Sequence, residues 1–179
     1  MTPSRRQFLR STFALLAFGI APVARGESGE YRLKAAFLLN VTQFVKWPDS
    51  AGDPSGQFTI GIFGADPFEG ELEKIIQGET VGGKKIVIKY ASRPESLRGC
   101  QILFICRSAE GRIGEILGSI RSEGVLTVSD IDRFAKRGGI VGLFMESKKL
   151  HFNIHTGAAQ RAGLKISSRI LKLASPIGD

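Results

Sequence analysis

Apolar residues recur along this chain with two different periods, and the two periods alternate. Short runs of β-prone residues lie between turn residues, as strands do, whereas other segments repeat apolar residues every three or four positions, as amphipathic helices do. The runs that predict strands are Phe58 to Phe63, Ile86 to Tyr90, Gln101 to Ile105, Val125 to Val128, Ile140 to Met145 and Leu150 to Ile154. Strands and helices therefore follow one another through most of the chain.

Five segments have the helical period. They are Tyr31 to Lys46, the residues after Pro67, the residues from Ser108 to Ile120, Ile131 to Lys136, and Ala159 to Leu173. The first of these helices should bury one apolar stripe, which consists of Leu33, Phe37, Leu38, Val41, Phe44 and Val45. Pro48 should end this helix, because the residue before a proline is pushed out of the α region.

This order of elements predicts the α/β class. We expect a three-layer, Rossmann-like or flavodoxin-like fold with a mostly parallel sheet of about six strands, five helices and a terminal antiparallel hairpin. Residues 27–179 suit a single domain, because a chain of 153 residues can bury a sufficient core. The G-x-G-x-x-G pattern does not follow the first strand, so the predicted fold does not indicate a nucleotide cofactor.

The first 26 residues have the features of an export signal. Arg5 and Arg6 lie in the segment SRRQFLR, which resembles the twin-arginine motif, and an apolar stretch from Ser11 to Val23 follows. That stretch is too short to span a bilayer core, which needs about 20 apolar residues. We expect cleavage before Glu27, export to the periplasm and no stable membrane insertion afterwards; an uncleaved N-terminal anchor is the alternative.

The net charge argues against nucleic-acid binding. The chain carries a formal charge of +8, but four of its arginines lie within the first 26 residues, so residues 27–179 carry only +4. The remaining basic residues form isolated pairs, such as Lys84 and Lys85, between acidic residues. A nucleic-acid interface normally shows a continuous basic stripe within a recognisable module.

Two turns at the ends of predicted strands could hold a small ligand. Gly64 and Asp66 follow the first strand, and Ser129 and Asp130 follow the fourth. The carboxyl ends of parallel strands meet at one edge of a sheet, where helix N-termini can bind anions through free backbone N–H groups. The alternative, which we favour for Asp66, is that these side chains cap the helices that follow them, with Pro67 as a first helical residue.

A second glycine-rich segment, Gly78 to Lys85, nearly matches the phosphate-binding pattern G-x-x-x-x-G-K-[ST]. Lys85 occupies the position of the hydroxyl residue that would bind magnesium, and the segment precedes a strand instead of following one. The segment is therefore predicted to be a turn.

Side chains suited to catalysis or metal binding are scarce. His151 and His155 are the only histidines and would share one face of a strand, without a third ligand of suitable type nearby in sequence. Cys100 and Cys106 flank a strand, so their Cα atoms would lie about 20 Å apart, beyond the ~7 Å that a disulfide tolerates. The sequence therefore predicts a non-enzyme with no catalytic residue, cofactor or metal site.

Six segments in the same order resemble the YfiR-like family of periplasmic proteins. They are AAFLLNVTQFVKWP from Ala35, GADPF from Gly64, CQILFI from Cys100, VLTVSDIDRFAKRGGIVGLF from Val125, FNI from Phe152 and AAQRAGLKISSRILKLA from Ala158. In that family the cysteine at the position of Cys100 often has a counterpart in the first strand, where this chain has Gly61. The family usually has asparagine, a good helix cap, at the position of His155, so we expect Thr156 to cap the last helix here.

The resemblance implies a regulatory function. The type member of the family represses a membrane-bound diguanylate cyclase, so this chain is expected to bind and repress the periplasmic sensor domain of an inner-membrane diguanylate cyclase, a sensor kinase or a similar signalling protein. The protein could also form a homodimer, which the sequence does not decide. The alternative is a periplasmic protein that binds a small ligand or an anion at the strand ends, whereas a hydrolase or transferase has the least support.

Overall fold

The computed structural model describes residues 25–51, 55–120 and 123–177. The predicted signal peptide, residues 1–26 with Arg5 and Arg6, lies outside these ranges except for its last two residues. The first helix, α1 (Arg25–Asn40), includes the predicted cleavage point between Gly26 and Glu27. Among the described residues, no helix combines the length and the apolar character needed to cross a membrane.

A seven-stranded sheet forms the centre of the fold. The strands in chain order are β1 (Val45–Lys46), β2 (Phe58–Phe63), β3 (Thr80–Val81), β4 (Lys84–Ala91), β5 (Ile102–Ile105), β6 (Leu126–Ser129), β7 (Val141–Glu146), β8 (Lys149–Ile154) and β9 (Lys165–Ile166). The sheet has the order β3-β4-β2-β5-β6-β7-β8, and β1 pairs separately with β9. Its five central strands are parallel neighbours, while β3 and β8 run antiparallel at the two edges. The predicted mostly parallel sheet and terminal hairpin are confirmed.

The sheet has one strand more than the predicted six. The additional strand, β3, pairs with the start of β4 across a two-residue turn at Gly82 and Gly83, whose φ angles are +57° and +77°. Glycine adopts these angles without steric cost, and two such residues form the turn that best connects antiparallel strands. The segment Gly78 to Lys85 is therefore a hairpin turn, in agreement with the sequence.

Helices cover the sheet, and the hydrophobic core divides into two clusters, one on each face. After α1, the helices are α2 (Glu71–Ile76), α3 (Ile113–Ser119), α4 (Thr156–Arg161) and α5 (Ser168–Leu171). Along β5, Ile102 and Phe104 belong to the cluster under α1, α4 and α5, whereas Leu103 and Ile105 belong to the cluster under α3. This alternation shows three layers, because successive side chains of a strand point to opposite faces. The assignment to a Rossmann-like or flavodoxin-like fold stays a prediction.

The predicted helix from Ile131 to Lys136 is wrong, since these residues form a series of turns between β6 and β7. Arg133 has φ +53°, which interrupts a right-handed helix. The turns bring the buried ring of Phe134 against Gly139, where a Cβ would stand 2.1 Å from a ring carbon. Burial of this aromatic ring against a glycine thus overrides the local helical pattern.

The first helix ends earlier than predicted, and the last predicted helix is divided in two. α1 ends at Asn40, well before Pro48, and continues as a 3₁₀ helix (Val41–Phe44) into β1. The segment from Ala159 to Leu173 is two helices, because Gly163 (φ +75°) ends the first and β9 separates it from the second. The total of five α-helices agrees with the prediction only because one predicted helix is absent and another is divided.

Candidate functional site at the carboxyl edge of the sheet

The four residues predicted to form a ligand turn all lie at the carboxyl edge of the sheet. Gly64 and Asp66 follow β2, Ser129 ends β6, and Asp130 comes directly after it. β5 lies between these two strands in the sheet, so the turns are separated by the width of one strand. The chain passes from β2 to β4 on one side and then to β5 on the other, and such reversals are where α/β proteins bind ligands.

The turn after β2 makes its hydrogen bonds within the chain. Gly64 has φ +106°, and a Cβ on it would stand 2.6 Å from Oγ of Ser108. The backbone N–H of Ala65 donates to this Oγ at 2.8 Å. Oδ1 of Asp66 accepts from the N–H of Phe68 at 2.9 Å, which closes a tight turn around Pro67.

The prediction that Asp66 caps a helix is wrong, although its side chain does cap a turn. α2 begins at Glu71, and its N-cap is Gly70. The crevice beside this turn is filled by the buried ring of Phe68, which packs edge-on against Phe104 and Tyr31 at centroid distances of 4.9 and 5.6 Å. The protein's own aromatic side chains therefore fill this part of the carboxyl edge.

The turn after β6 positions Asp130 in a buried polar cluster. Oγ of Ser129 donates to the carbonyl oxygen of Ile105 at 2.6 Å and accepts from the N–H of Ile131 at 3.1 Å. These two hydrogen bonds fix the backbone at the end of β6, where we had expected a helix cap. They leave the side chain of Asp130, which is 1% exposed, directed toward α1 and Arg107.

A single oxygen of Asp130 accepts hydrogen bonds from Tyr31 and Lys34 and forms an ion pair with Arg107. Oδ2 lies 2.9 Å from the hydroxyl of Tyr31, 2.5 Å from Nζ of Lys34 and 3.1 Å from Nε of Arg107. Nζ of Lys34 also pairs with the carboxylate of Glu30, one turn earlier on α1. We call these five residues the α1 clamp, because they join α1 to the ends of β5 and β6.

The charges within the α1 clamp balance. Two carboxylates, Glu30 and Asp130, face two cations, Lys34 and Arg107. The side chain of Lys34 is 0% exposed, so its charge depends on these partners, since an unpaired charge is very costly in a protein interior. Burial raises the pKa of Tyr31, and its hydrogen bond to Asp130 raises that pKa further, so the hydroxyl remains a donor at neutral pH.

Cys106 follows β5 at the same edge and is buried. Burial raises the pKa of its thiol to about 12, and the nearby carboxylates of Asp66 and Asp130 contribute to the increase. A thiol with such a pKa is almost wholly protonated at neutral pH, and the thiolate is the reactive form. Cys100 and Cys106 are both buried, and no disulfide joins them.

Both histidines make contacts within the fold. Nδ1 of His155 accepts from the N–H of Ala158 at 3.3 Å, so His155 itself caps α4, and the expectation that Thr156 does so is wrong. His151 stacks on the ring of Phe144 at a centroid distance of 5.6 Å. Within residues 25–51, 55–120 and 123–177, no group of three or more histidine, cysteine, aspartate and glutamate side chains could hold a metal ion.

A wide apolar surface lies beside the α1 clamp. It is a shallow depression of ≈ 1080 Å³ on the outer side of α1, lined by Leu33, Ala36, Ile75 and Met145 with Arg32 and Lys148 at its rim. Leu33 is 44% exposed, although it was predicted to be buried. We call the four apolar residues the α1 surface.

Sequence reasoning missed the α1 clamp, yet the sequence contained a signal for it. Lys34 lies four residues before Leu38 and seven before Val41, which is the helical spacing of one buried face. A lysine within an apolar stripe calls for an acidic partner, because a buried charge is rarely left unpaired. The partner itself, Asp130, is 96 residues away, so the sequence pattern could not identify it.

Comparison with known proteins gives one result. The sequence model of the YfiR/HmsC-like family matches residues 31–175, which include the described strands, helices α2 to α5 and α1 except for its first six residues. No curated protein matches the chain.

Proposed function

This chain belongs to the YfiR/HmsC-like family, which comprises periplasmic regulators in cyclic di-GMP signalling, and we propose that it represses an inner-membrane diguanylate cyclase, or a similar signalling protein, by binding its periplasmic domain. Such a regulator acts through binding alone. It needs a rigid scaffold, an exposed contact surface and export to the periplasm, but no catalytic group.

The observation that carries this proposal is the contrast between the two sides of α1. On the inner side, the side chains of Phe68 and the α1 clamp pack at the ends of β5 and β6, and a depression of ≈ 680 Å³ lined by Glu30, Arg107 and Asp130 among others lies beside them. On the outer side, the α1 surface exposes apolar side chains in one continuous depression. Exposed apolar surfaces of this kind are typical of protein-protein contacts.

Repression would follow from a shift in populations. A partner that binds only the inactive conformer of a sensor domain lowers the active fraction, although it never contacts the catalytic domain across the membrane. The α1 clamp supports this mode of action because it holds α1 rigidly on the sheet, so little ordering entropy is lost when the α1 surface is covered.

Genetic complementation tests the proposal. Deletion of the gene should raise cyclic di-GMP, and expression of the wild-type chain should restore the original level. Leu33→Glu should fail to restore it, because a carboxylate at the centre of the α1 surface must be desolvated on binding. The matched control is Leu173→Glu, which changes a leucine that is 71% exposed and lies outside the α1 surface.

Co-purification provides the second measurement. The wild-type mature chain and the Leu173→Glu variant should both retain a membrane diguanylate cyclase or sensor kinase from detergent-solubilised membranes, and Leu33→Glu should lose it. Circular dichroism of each variant will show whether the fold is intact. If deletion leaves cyclic di-GMP unchanged, the proposal is wrong.

A further inference from the structure

A second cavity, at the amino edge of the sheet, has an unusual lining. Its volume is ≈ 400 Å³, and it lies where β6 and β7 begin, at the opposite edge from the α1 clamp. Among the residues that the structure describes, the charged ones that line it are two arginines, Arg137 and Arg161. A cavity with two positive charges and no acidic residue in its lining attracts an anion.

The two arginines differ in their partners. The guanidinium of Arg137 donates to the side chain of Glu110 at 2.7 Å and to its backbone oxygen at 3.3 Å. Arg161 projects from the last turn of α4 and forms no ion pair with any residue that the structure describes. Its Nη1 lies 3.5 Å from the position that a Cβ would take on Gly157, which is an ordinary van der Waals distance.

A buried hydroxyl adds a further hydrogen-bond donor. Thr127 in β6 also lines the cavity and is largely buried. Its Oγ1 accepts from the N–H of Ile140 at 2.9 Å, and its own hydrogen is not donated to any residue within the described ranges. A hydroxyl that has accepted one bond can still donate one, and anion sites commonly use such a donor beside guanidinium groups.

Small residues create the space. Five of the lining residues are glycine or alanine: Gly114, Gly118, Gly138, Ala158 and Ala162. A Cβ on Gly118 would meet no atom within 4 Å, so α3 has room there for a larger side chain. The volume lies within the range of about 300–1,000 Å³ that is usual for small-molecule sites.

We propose that this cavity binds the phosphate group of a small, soluble phosphomonoester. Such a group carries about −1.5 to −2 charges at neutral pH, and it would meet the charge of Arg161 together with the donors of Arg137 that Glu110 does not occupy, since its oxygens fit the forked donors of guanidinium groups. The remaining volume accommodates the organic part of the molecule against the glycine and alanine residues. The site is separate from the α1 surface, and the proposal does not depend on the proposed regulatory function.

Calorimetric titration of the purified mature chain tests the site. The ligands are glycerol 3-phosphate and inorganic phosphate as probes, glycerol as the neutral control and succinate as a carboxylate dianion. We expect glycerol 3-phosphate to bind and glycerol not to bind. Arg161→Gln should weaken the binding about tenfold or more, since it removes a charge-assisted contact. The matched control, Arg169→Gln, changes an exposed arginine of α5 outside the cavity and should leave the affinity unchanged.

A cavity-filling variant separates binding from folding. Gly118→Leu should abolish the binding of glycerol 3-phosphate and yet keep or raise the melting temperature, because leucine favours a helix more than glycine does. Loss of binding with an intact fold supports the proposal. Any of four results would overturn the proposal: the wild type does not bind glycerol 3-phosphate, it binds succinate with equal affinity, or Gly118→Leu binds as the wild type does. The fourth is that the protein is retained on phosphatidylglycerol vesicles through Arg161 and does not bind glycerol 3-phosphate.

Discussion

The Sγ atom of Cys100 lies 2.9 Å from the position that a Cβ would take on Gly61, and the Cβ of Cys100 lies 3.6 Å from the same position. Disulfides have Cβ separations of about 3.5–4.5 Å. In related proteins this position of the first strand often carries a cysteine, as the resemblance implied. The chain therefore keeps the geometry of a bridge between β2 and the start of β5, although it has glycine in place of one of the cysteines.

Gly61→Cys should consequently form a disulfide with Cys100 under oxidising conditions. The bridge would close a loop of about 40 residues and should stabilise the oxidised domain by about 2–4 kcal/mol. Intact mass measurement should show the loss of two hydrogens, and the melting temperature should fall when a reductant is added.

Gly61→Ser is the matched control, because it introduces a side chain of similar size that cannot form the bridge. Its melting temperature should not respond to the reductant. Leu103 must move slightly in both variants, since its Cδ1 lies 3.1 Å from the new Cβ. A Gly61→Cys protein that keeps all its thiols after oxidation would show that β2 and β5 do not have this register.

Cys106 should be unreactive in the native protein. Its pKa is raised to about 12, chiefly by burial, so only about one molecule in 10,000 carries the thiolate at pH 8. In a Cys100→Ser background, iodoacetamide at pH 8 should modify Cys106 only after the protein is unfolded in urea, as measured by mass spectrometry. Modification of native Cys106 as fast as that of a free thiol would contradict its placement at the end of β5.

Lys34 should be the most sensitive residue of the α1 clamp. Lys34→Met leaves the buried carboxylate of Asp130 without its closest partner, and such a loss typically costs about 3–5 kcal/mol. Urea denaturation should show this decrease in the free energy of unfolding.

The double variant Lys34→Met with Asp130→Leu should recover much of the loss, because apolar residues of similar volume can replace a buried ion pair. Lys74→Met is a suitable control, since its ion pair with Glu71 lies on the surface and should contribute no more than about 1 kcal/mol. Equal effects of Lys34→Met and Lys74→Met would argue against a buried clamp.

The raised pKa of Tyr31 predicts how the free energy of unfolding changes at high pH. Its folded-state pKa is raised above the unfolded value of about 10, so the phenol proton is bound more tightly in the folded protein. The stabilisation is fully present below pH 10 and should be lost as the pH rises above that value. The wild-type free energy of unfolding should therefore fall more steeply between pH 10 and 11.5 than that of Tyr31→Phe, and parallel curves would exclude this role.

Export should depend on both arginines of the predicted signal. Replacement of Arg5 and Arg6 by lysine should leave the precursor in the cytoplasm, because the receptor of the twin-arginine pathway reads these residues as an address. Cell fractionation with immunoblotting measures the outcome, and Arg10→Lys, which keeps the pair intact, is the control. Normal periplasmic levels of the double variant would exclude the twin-arginine route.

The strands could be predicted well from the sequence because their signal is local. The predicted and observed bounds of β2 are the same, and the other five predicted strands differ from the observed ones by at most two residues at either end. β-prone runs between turn residues need no knowledge of the rest of the fold. Helix ends were predicted less well, since β1 and β9 interrupt helical patterns only by pairing with each other over more than 100 residues.

The candidate site could also be predicted only in part, because some of its contacts join residues that are far apart in the sequence. The sequence placed Gly64, Asp66, Ser129 and Asp130 at one edge of the sheet, and the structure agrees. It could not show that Phe68 fills the crevice or that Asp130 faces Lys34, because both facts depend on how α1 lies across the sheet. The predicted stripe of α1 was wrong by one residue at this point. It included Leu33, which is exposed, and omitted Lys34, which is buried.

The ion pair between Lys34 and Asp130 also limits how early α1 can dock on the sheet during synthesis. The ribosome makes Asp130 96 residues after Lys34, which takes about 5–20 s at the usual rate of about 5–20 residues per second. Throughout that interval, α1 has no carboxylate at the end of β6 to receive its buried lysine. We therefore expect α1 to dock fully on the sheet only after β6 and Asp130 have been made.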